Sequence, residues 1–413
     1  MNNASVKLSF REKLGYGLGD TASHFVWDMV GFWILIFYTD TFGITAAAAG
    51  TIMLIARAWD MISDPVMGII ADRTQTRWGK FRPYILWMAL PYSILAVLTF
   101  STPNIGETGK VIYAAVTYLS LMTVFTAINL PYSSLGAVMT GDTMERAGLN
   151  SYRFIFAFVG QLIVSGTALT LANYFGKGDQ AKGYQITLGL FAIVSFILFM
   201  ITFSSTRERV HPPKAQKANL KADFKGLMKN RPWVILFFVG IISFVMFAMQ
   251  NLSVAYYFKY YIGKEEGVQL FNVIGTVALI LAIPLSKPLA KRFGKRNVFL
   301  ASSLLSGIFF ILLYLPGAED MNLIYLFNIL AKICYAPAVP LLWTMLADTA
   351  DYSEWKSGRR STGLVFSAAT FAQKAGWGIG GALAGWLLAI FKFTPNVEQS
   401  LEAINGIKLM ISV

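Results

Sequence analysis

The amino-acid sequence predicts an all-α membrane protein built from two halves of six helices each. Three observations support this fold class: an apolar composition, a series of long intervals without charged residues, and one basic linker near the middle of the chain. Hydrophobic residues make up 55% of the 413 residues and charged residues only 14%, whereas soluble domains contain roughly 25% charged residues. The composition therefore excludes an ordinary soluble enzyme, a disordered chain and a fibrous repeat.

Intervals without Asp, Glu, Lys or Arg locate the predicted membrane spans. A helix needs about 20 apolar residues to cross a bilayer, and seven charge-free intervals are long enough: 83–106, 111–141, 154–176, 183–206, 232–258, 267–286 and 297–318. Four further apolar stretches carry isolated charges, at about 14–39, 46–71, 321–347 and 361–391. These intervals predict eleven spans, and a twelfth that begins after residue 404 is expected to be cut short.

A basic linker at 207–231 follows the sixth predicted span and divides the chain into an N-terminal half, 1–206, and a C-terminal half, 232–413. A Gly-Lys turn follows the second span of each half, at Gly79–Lys80 and Gly294–Lys295. Each turn would be basic simply because it is cytoplasmic, but the matched position favours an internal duplication of the kind found in transporters.

The distribution of basic residues predicts the orientation in the membrane. If the N-terminus is inside, the inner segments contain 24 of the 35 Lys and Arg residues and the outer connections contain six. Because cytoplasmic loops are enriched in Lys and Arg, we expect a cytoplasmic N-terminus. The net charge of +13 then reflects topology, and no nucleic-acid partner is expected.

Charged residues in the second span predict a site for a coupling ion. Arg57, Asp60 and Asp64 lie at i, i+3 and i+7, so they share one helix face, and Ser63 lies beside them. Each charge at the bilayer centre costs at least about 2.5–3.5 kcal/mol unless it is solvated or paired. Two carboxylates and a hydroxyl can bind a small hard cation or hold a proton. The alternative, an Arg57–Asp60 pair that only stabilises packing, leaves Asp64 unexplained, so we favour the ion site.

Polar residues on several other spans predict a water-filled cavity for a polyhydroxylated ligand. Asp20, His24 and Asp28 form a stripe at i, i+4 and i+8 of the first span. The remaining candidates are spread over spans four, five, ten and eleven: Thr126, Asn129, Arg153, Lys332, Thr370, Gln373 and Lys374. Two alternatives stay open. The neutral residues could form hydrogen bonds between helices, and the side chain of Lys332 could extend to the membrane interface.

Three stretches, Ala56–Gly68, Arg77–Pro83 and Ala347–Trp355, resemble the glycoside–pentoside–hexuronide:cation symporters, the melibiose-permease-like branch of the major facilitator superfamily. Leu14–Asp20 and Phe37–Asp40 fit the same pattern. The resemblance implies the major facilitator fold and secondary active import of a glycoside, pentoside or hexuronide with Na⁺ or H⁺. It implies no enzyme activity and no cofactor, and we expect a monomer surrounded by membrane lipid.

The resemblance also implies roles for individual residues. It places a cation site, with Na⁺ able to bind between the two acids, at Asp60, Ser63, Asp64 and Thr126. The family's sugar site matches at Arg153, Thr370 and Lys374, whereas His24 and Asn129 replace two acids of that site. An α-galactoside is therefore not expected, and Na⁺ and H⁺ both stay open because a serine replaces the asparagine of a sodium-using member.

Charged clusters at the cytoplasmic ends are expected to form gates between the two halves, from opposite charges on the loops of each half: Asp72, Arg73, Arg77, Lys80 and Arg82 on one side, Asp348, Asp351 and Glu354 on the other. The chain has no Gly-x₄-Gly-Lys-Ser/Thr motif, so ATP-driven pumping is not expected, and it has no nucleophile elbow of a hydrolase. Three alternatives to symport remain: a sugar uniporter of the same fold, a carrier of amphipathic lipids, and a receptor that does not transport.

Overall fold

The computed structural model describes residues 7–209, 227–357 and 362–412. Contacts divide the chain into two compact units, Met1–Lys214 and Ala215–Val413. The described part of the N-terminal unit contains six long helices: α1 (Phe10–Ile36), α2 (Ala46–Arg73), α3 (Arg82–Thr99), α4 (Glu107–Met139), α5 (Thr143–Gly176) and α6 (Gln180–Ser205). The helices match the first six predicted spans.

The described part of the C-terminal unit contains eight helices: α7 (Arg231–Tyr256), α8 (Gly267–Ala282), α9 (Ser286–Phe293), α10 (Lys295–Leu312), α11 (Met321–Tyr335), α12 (Ala338–Ser357), α13 (Thr362–Ile390) and α14 (Leu401–Ser412). A proline divides one predicted span, 321–347, into α11 and α12, and another proline separates α8 from α9, which begins at the end of the predicted span 267–286. Pro284 lies in the 3₁₀ turn Ile283–Leu285 between α8 and α9, and Pro337 separates α11 from α12. Proline interrupts each helix because it lacks the backbone N–H. The last helix begins at Leu401, slightly before the predicted start of the twelfth span.

Side-chain caps fix where several helices begin. Ser9 and Glu12 form a reciprocal capping box at the start of α1. Thr45, Asp179 and Asn230 each accept a backbone N–H at the start of α2, α6 and α7, respectively. Each cap satisfies a donor that the helix itself leaves unpaired.

Two matched features support the internal duplication. The helices α1 and α7 both continue into a six-residue π-helix, Phe37–Phe42 and Tyr257–Ile262. Each π-helix ends at a glycine in the left-handed region, where a side chain would be strained: Gly43 at φ 82° and Gly263 at φ 73°. The glycines of the two Gly-Lys turns also have positive φ. The exact limits of the two halves stay a prediction.

The first helix of each unit packs closely against a helix with glycines at the contact. A Cβ added at Gly160 of α5 would lie 2.9 Å from the Cβ of His24 on α1. In the C-terminal unit, a Cβ at Gly380 of α13 would lie 2.6 Å from the carbonyl oxygen of Val245 on α7. Small residues let membrane helices approach to backbone contact.

Eight helical segments in the described part of the chain are long and apolar enough to cross a membrane: Phe10–Phe42, Glu107–Met139, Gly148–Gly176, Gln180–Ser205, Arg231–Ile262, Gly267–Phe293, Lys295–Leu312 and Met321–Ser353. The helices α2, α3 and α13 occupy the three other long predicted spans. The prediction of an all-α membrane fold is confirmed.

Candidate functional site

A hydrogen bond between α2 and α4 joins two of the four predicted cation ligands. The Thr126 hydroxyl donates to Asp64 Oδ1 at 2.9 Å, and Thr126 is buried. The neighbouring Trp59 indole donates to the Thr123 hydroxyl at 2.8 Å, between the same two helices. A carboxylate and a hydroxyl from different helices therefore meet at the position predicted for the ion.

The other acid of α2 forms an ion pair on its own helix. Arg57 Nη1 lies 2.8 Å from Asp60 Oδ2, and both residues are buried. The Arg57 guanidinium lies 4.8 Å from the centre of the Trp27 ring, which stacks on Phe125 of α4. The pair that sequence analysis held as the alternative is thus present, and it compensates the charge of Asp60.

The third predicted ligand on α2 makes a local contact. The Ser63 hydroxyl lies 3.5 Å from the backbone carbonyl oxygen of Asp60, the contact typical of serine inside a helix. Among the residues that the structure describes, no group of three or more His, Cys, Asp or Glu side chains is placed to bind a metal ion. The oxygen atoms available to a hard cation here are those of the two carboxylates and the hydroxyls.

The polar stripe of α1 is held by partners on α1 itself and on α5. Arg153 Nε of α5 donates to Asp20 Oδ2 at 2.9 Å. Its guanidinium lies 5.3 Å from the Tyr132 ring of α4, which stacks on Tyr16 at 4.9 Å. This cluster ties α1, α4 and α5 together through one compensated charge pair.

His24 and Asp28 form the second pair of the stripe, with His24 Nδ1 lying 2.9 Å from Asp28 Oδ2. Asp28 is buried and His24 is half-buried. The carboxylate orients the imidazole and favours a proton on Nδ1. The Nε2 atom is then the ring nitrogen directed away from the acid.

Asn129, a predicted sugar ligand, lies near the predicted cation ligand Thr126 on α4. It lies three residues after Thr126 on α4, so the two residues share one helix face. Ser133, one turn further on, donates from its hydroxyl to Asn129 Oδ1 at 3.4 Å. The same face of α4 therefore carries a predicted cation ligand and a predicted sugar ligand.

Within the C-terminal unit, the predicted site residue Lys332 has neutral neighbours. Lys332 Nζ of α11 donates to Gln250 Oε1 of α7 at 3.1 Å and lies 5.6 Å from the ring centres of both Phe247 and Phe310. Thr370, Gln373 and Lys374 lie on α13, with Thr370 exposed and the other two half-buried. Sequence analysis missed Gln250, although Gln250–Asn251 is a polar pair in the apolar interval that became α7.

The predicted gate residues make contacts inside their own units. Arg82 donates to the carbonyl oxygens of Trp78 and Phe203, at 3.3 and 2.7 Å, and Asp348 pairs with Lys295 at 2.6 Å. Asp348 lies on helix α12, as does Asp351, whereas sequence analysis placed these acids in a loop.

Of the other gate residues, Arg77 stacks on Trp78, Lys80 donates its backbone N–H to Glu208, and Arg73 is exposed at the end of α2. The side chains of Asp72 and Glu354 lie outside the described part of the chain. Gating stays a prediction.

Glu208 and Arg209, which follow α6, hold together the end of the N-terminal unit at which α1 and α3 begin. The Glu208 carboxylate accepts the backbone N–H groups of Lys80, Phe81 and Arg82 at 2.7–3.0 Å and so caps α3. Arg209 pairs with Glu12 of α1, and its backbone N–H donates to the carbonyl oxygen of Val138 at the end of α4. Sequence analysis missed both residues because no local pattern connects them with their partners.

A further contact at the same end joins α1 and α5. Lys13 Nζ lies 2.8 Å from Glu145 Oε2. The hydrogen bond from Lys13 lowers the pKa of the Glu145 carboxyl below its ordinary value, because it stabilises the charged form.

Comparison with known proteins agrees with this fold. The family described as MFS/sugar transport protein matches residues 15–413. The inner membrane symporter YicJ of Escherichia coli (strain K12) is 36% identical over 92% of this chain and 83% of its own. The isoprimeverose transporter of Lactiplantibacillus pentosus is 36% identical over 96% of this chain and 84% of its own.

Among solved structures, a D-xylose–proton symporter has a TM-score of 0.69 and 14% identity, with 97% of this chain and 95% of that chain covered. This likeness shows the major facilitator fold. The family consists of transporters, which also confirms that the chain is not an enzyme. The chain belongs to the MFS/sugar transport protein family of membrane transporters, as its resemblance to the glycoside–pentoside–hexuronide:cation symporters predicts.

Proposed function

We propose that this protein imports a sugar or glycoside in symport with Na⁺ or H⁺ across a bacterial inner membrane, by alternating access and with its N-terminus in the cytoplasm. The observation that carries the proposal is the junction of α2 and α4, where Asp64 meets Thr126 beside the Arg57–Asp60 pair. A carboxylate inside a membrane span is the usual mark of an ion pathway.

The geometry of α4 supports coupling between the ion and the sugar. A cation at Asp64 would compete with the hydrogen bond from Thr126 and move the face of α4 that also carries Asn129. Binding of the ion and binding of the sugar would then favour the same state of the helix. By linkage, each ligand would raise the affinity for the other by the same factor.

Uptake into proteoliposomes tests the proposal. Radiolabelled glycosides, pentoses and hexuronides are offered with a Na⁺ gradient and a proton gradient applied separately. Accumulation above the external concentration with one gradient is expected. Equilibration and counterflow without accumulation would instead indicate the uniporter, and binding without flux would indicate a receptor.

A matched pair of threonine variants locates the ion. Thr126→Val removes the hydroxyl that contacts Asp64 and keeps the shape of the side chain. Thr123→Val makes the same change one turn away, where the hydroxyl contacts Trp59 and the carbonyl oxygen of Leu119. We expect Thr126→Val to raise the ion concentration for half-maximal uptake about 10-fold, the effect of losing one hydrogen bond to a charged group, and Thr123→Val to leave it unchanged.

A finer proposal concerns the class of sugar. Lys332 contacts a neutral amide and two aromatic rings, and no carboxylate in the described part of the chain forms an ion pair with it. A charge of this kind is stabilised when a ligand brings the opposite charge. We therefore favour a hexuronide-like, anionic substrate. Arg153 adds nothing to this choice, because Asp20 compensates its charge.

A further inference from the structure

An apolar groove of about 530 Å³ lies on the surface of the C-terminal unit. It runs between α8 and α11 and is lined mainly by branched side chains: Val273, Val277, Leu281, Leu285, Ile329 and Ile333. Leu281 is 73% exposed and Leu285 48% exposed. The groove is therefore open to the surroundings and presents almost no polar surface.

The groove has the length of a lipid chain and ends where α8 breaks. Val273 and Leu285 are twelve residues apart, which corresponds to about 18 Å of helix, slightly more than half of the roughly 30 Å hydrocarbon core. The small side chains of Ala278 and Ala282 leave room along the groove. The lining extends to Leu285 in the 3₁₀ turn Ile283–Leu285, which leads directly into α9.

Exposed basic residues follow the groove on α9. Lys287, Lys291 and Arg292 are all exposed, and none of them forms an ion pair within the residues that the structure describes. Arg292 comes seven residues after Leu285, two helical turns later, so it lies close to the line of the groove. Its guanidinium is 5.2 Å from the ring centre of Phe293, which is 52% exposed, as aromatic residues at a membrane interface often are.

We propose that this surface binds one anionic diacyl phospholipid, with an acyl chain in the groove and the phosphate headgroup on α9. The two parts of the surface fit the two parts of that molecule: apolar length for the chain, and unpaired cations for the headgroup at the level where the membrane span ends. Basic residues at a membrane interface attract anionic lipids. A free phosphate would leave the groove unused, and a lipid without net charge would leave the cations unused.

Native mass spectrometry of the purified full-length chain tests the proposal. Phosphatidylglycerol and phosphatidylcholine with identical acyl chains serve as probes. We expect phosphatidylglycerol to be retained preferentially, with one molecule bound most tightly. The double variant Lys291→Gln/Arg292→Gln should weaken this binding about 10-fold or more, given the attraction per basic residue near a lipid surface.

A matched control removes two exposed basic residues of the same unit that are distant from α9. Lys264 follows the π-helix after α7 and Lys392 follows α13, so Lys264→Gln/Lys392→Gln should bind phosphatidylglycerol like the unmodified protein. The conservative variant Lys291→Arg/Arg292→Lys keeps both charges and should also retain the lipid. The unfolding temperature of each variant without added lipid should match that of the unmodified protein, which shows that any loss is not a loss of fold.

The acyl part is tested separately. Ala278→Leu fills the groove and should lower retention of phosphatidylglycerol, while glycerophosphate without acyl chains should not displace the lipid. Four results would overturn the proposal: equal retention of both lipids, equal losses in the α9 variant and the control, displacement by glycerophosphate, or a dimer that forms through the groove. None of these results depends on transport, so the symport proposal is tested independently.

Discussion

The interiors of the two units differ in how their charges are compensated. In the N-terminal unit, charged side chains on α1, α2 and α5 form pairs: Asp20–Arg153, His24–Asp28 and Arg57–Asp60. In the C-terminal unit, the corresponding first helix, α7, is apolar for most of its length, and its Gln250 receives a hydrogen bond from Lys332. The two units thus share a helical arrangement but differ in how their buried charges are compensated.

Contacts between helices show what the two units share and where they differ. The Asp20–Arg153 pair joins α1 to α5, whereas the other two pairs lie within α1 and within α2. In the proposed symport, an added cation would act at the Asp64–Thr126 contact between α2 and α4. Glycine contacts bring α13 against α7 in the C-terminal unit, as they bring α5 against α1 in the N-terminal unit. Lys332 of the C-terminal unit contacts a neutral amide and two aromatic rings, and we propose that it binds the substrate. The following predictions break or sharpen this comparison.

The largest effect is expected at Asp64. Asp64→Asn removes the charge and keeps the size of the side chain, so the protein should insert and fold but lose gradient-driven accumulation, by at least 100-fold in proteoliposome uptake. Asp40→Asn, the same substitution in the π-helix after α1, serves as the control and should retain accumulation. Normal accumulation by Asp64→Asn would remove this residue from the coupling site.

Breaking the buried pair of α2 should destabilise the fold more than breaking an exposed pair. Arg57→Met removes the guanidinium that compensates the buried Asp60 carboxylate, and breaking a buried ion pair costs about 3–5 kcal/mol. Lys392→Met breaks the exposed pair with Glu402, 2.9 Å long, and should cost about 0–1 kcal/mol. Thermal unfolding in detergent measures both. Equal costs would mean that Asp60 is reached by water.

A methyl group added at the close contact between α13 and α7 should lower the stability of the C-terminal unit. Gly380→Ala would place a Cβ 2.6 Å from the Val245 carbonyl oxygen, and overpacking of this kind costs about 1–3 kcal/mol. Gly307→Ala on α10 meets no atom within 4 Å and should be neutral or slightly stabilising, since alanine favours helix. The unfolding temperatures of the two variants distinguish these outcomes. A tolerated Gly380→Ala would show that α7 and α13 separate easily.

The smallest effect is expected at Lys332, and it is selective. Lys332→Met removes the charge and keeps the chain length, so affinity for an anionic sugar should fall about 10-fold while affinity for its neutral analogue changes little. Lys408→Met is the control, because Lys408 also lies against aromatic rings, those of Tyr261 and Tyr314. Competition for uptake measures both. Equal loss for the two sugars would mean that Lys332 only anchors its helix.

Spans were predictable from the sequence because apolar length is a local property. The helix limits were less predictable where a helix leaves the apolar region. α12 runs to Ser357, about ten residues beyond the predicted end of its span. Charged residues such as Asp348 and Asp351 end an apolar interval, but they do not end a helix. The Arg57–Asp60 pair could also be predicted from the sequence, because a spacing of three residues on one helix brings the side chains together.

The contacts between helices could not be predicted from the sequence. Asp20 and Arg153 were both predicted to contact sugar, but they are 133 residues apart and their mutual bond depends on how α5 packs on α1. The contact between Thr126 and Asp64 also depends on packing. The family resemblance assigned both residues to the cation site, but their hydrogen bond forms because α2 packs on α4. Spacing indicates which residues share a face, whereas packing decides which of them meet.

The cap that Glu208 provides sets an order of events during synthesis. Glu208 leaves the ribosome 126 residues after Arg82, whose backbone N–H it accepts. At about 5–20 residues per second, the first turn of α3 waits roughly 6–25 s for this partner. These partners of Glu208 and Arg209 all precede them in the chain, so the contacts need no residue of α7. The nascent N-terminal unit can therefore complete this end while the second unit is still being translated.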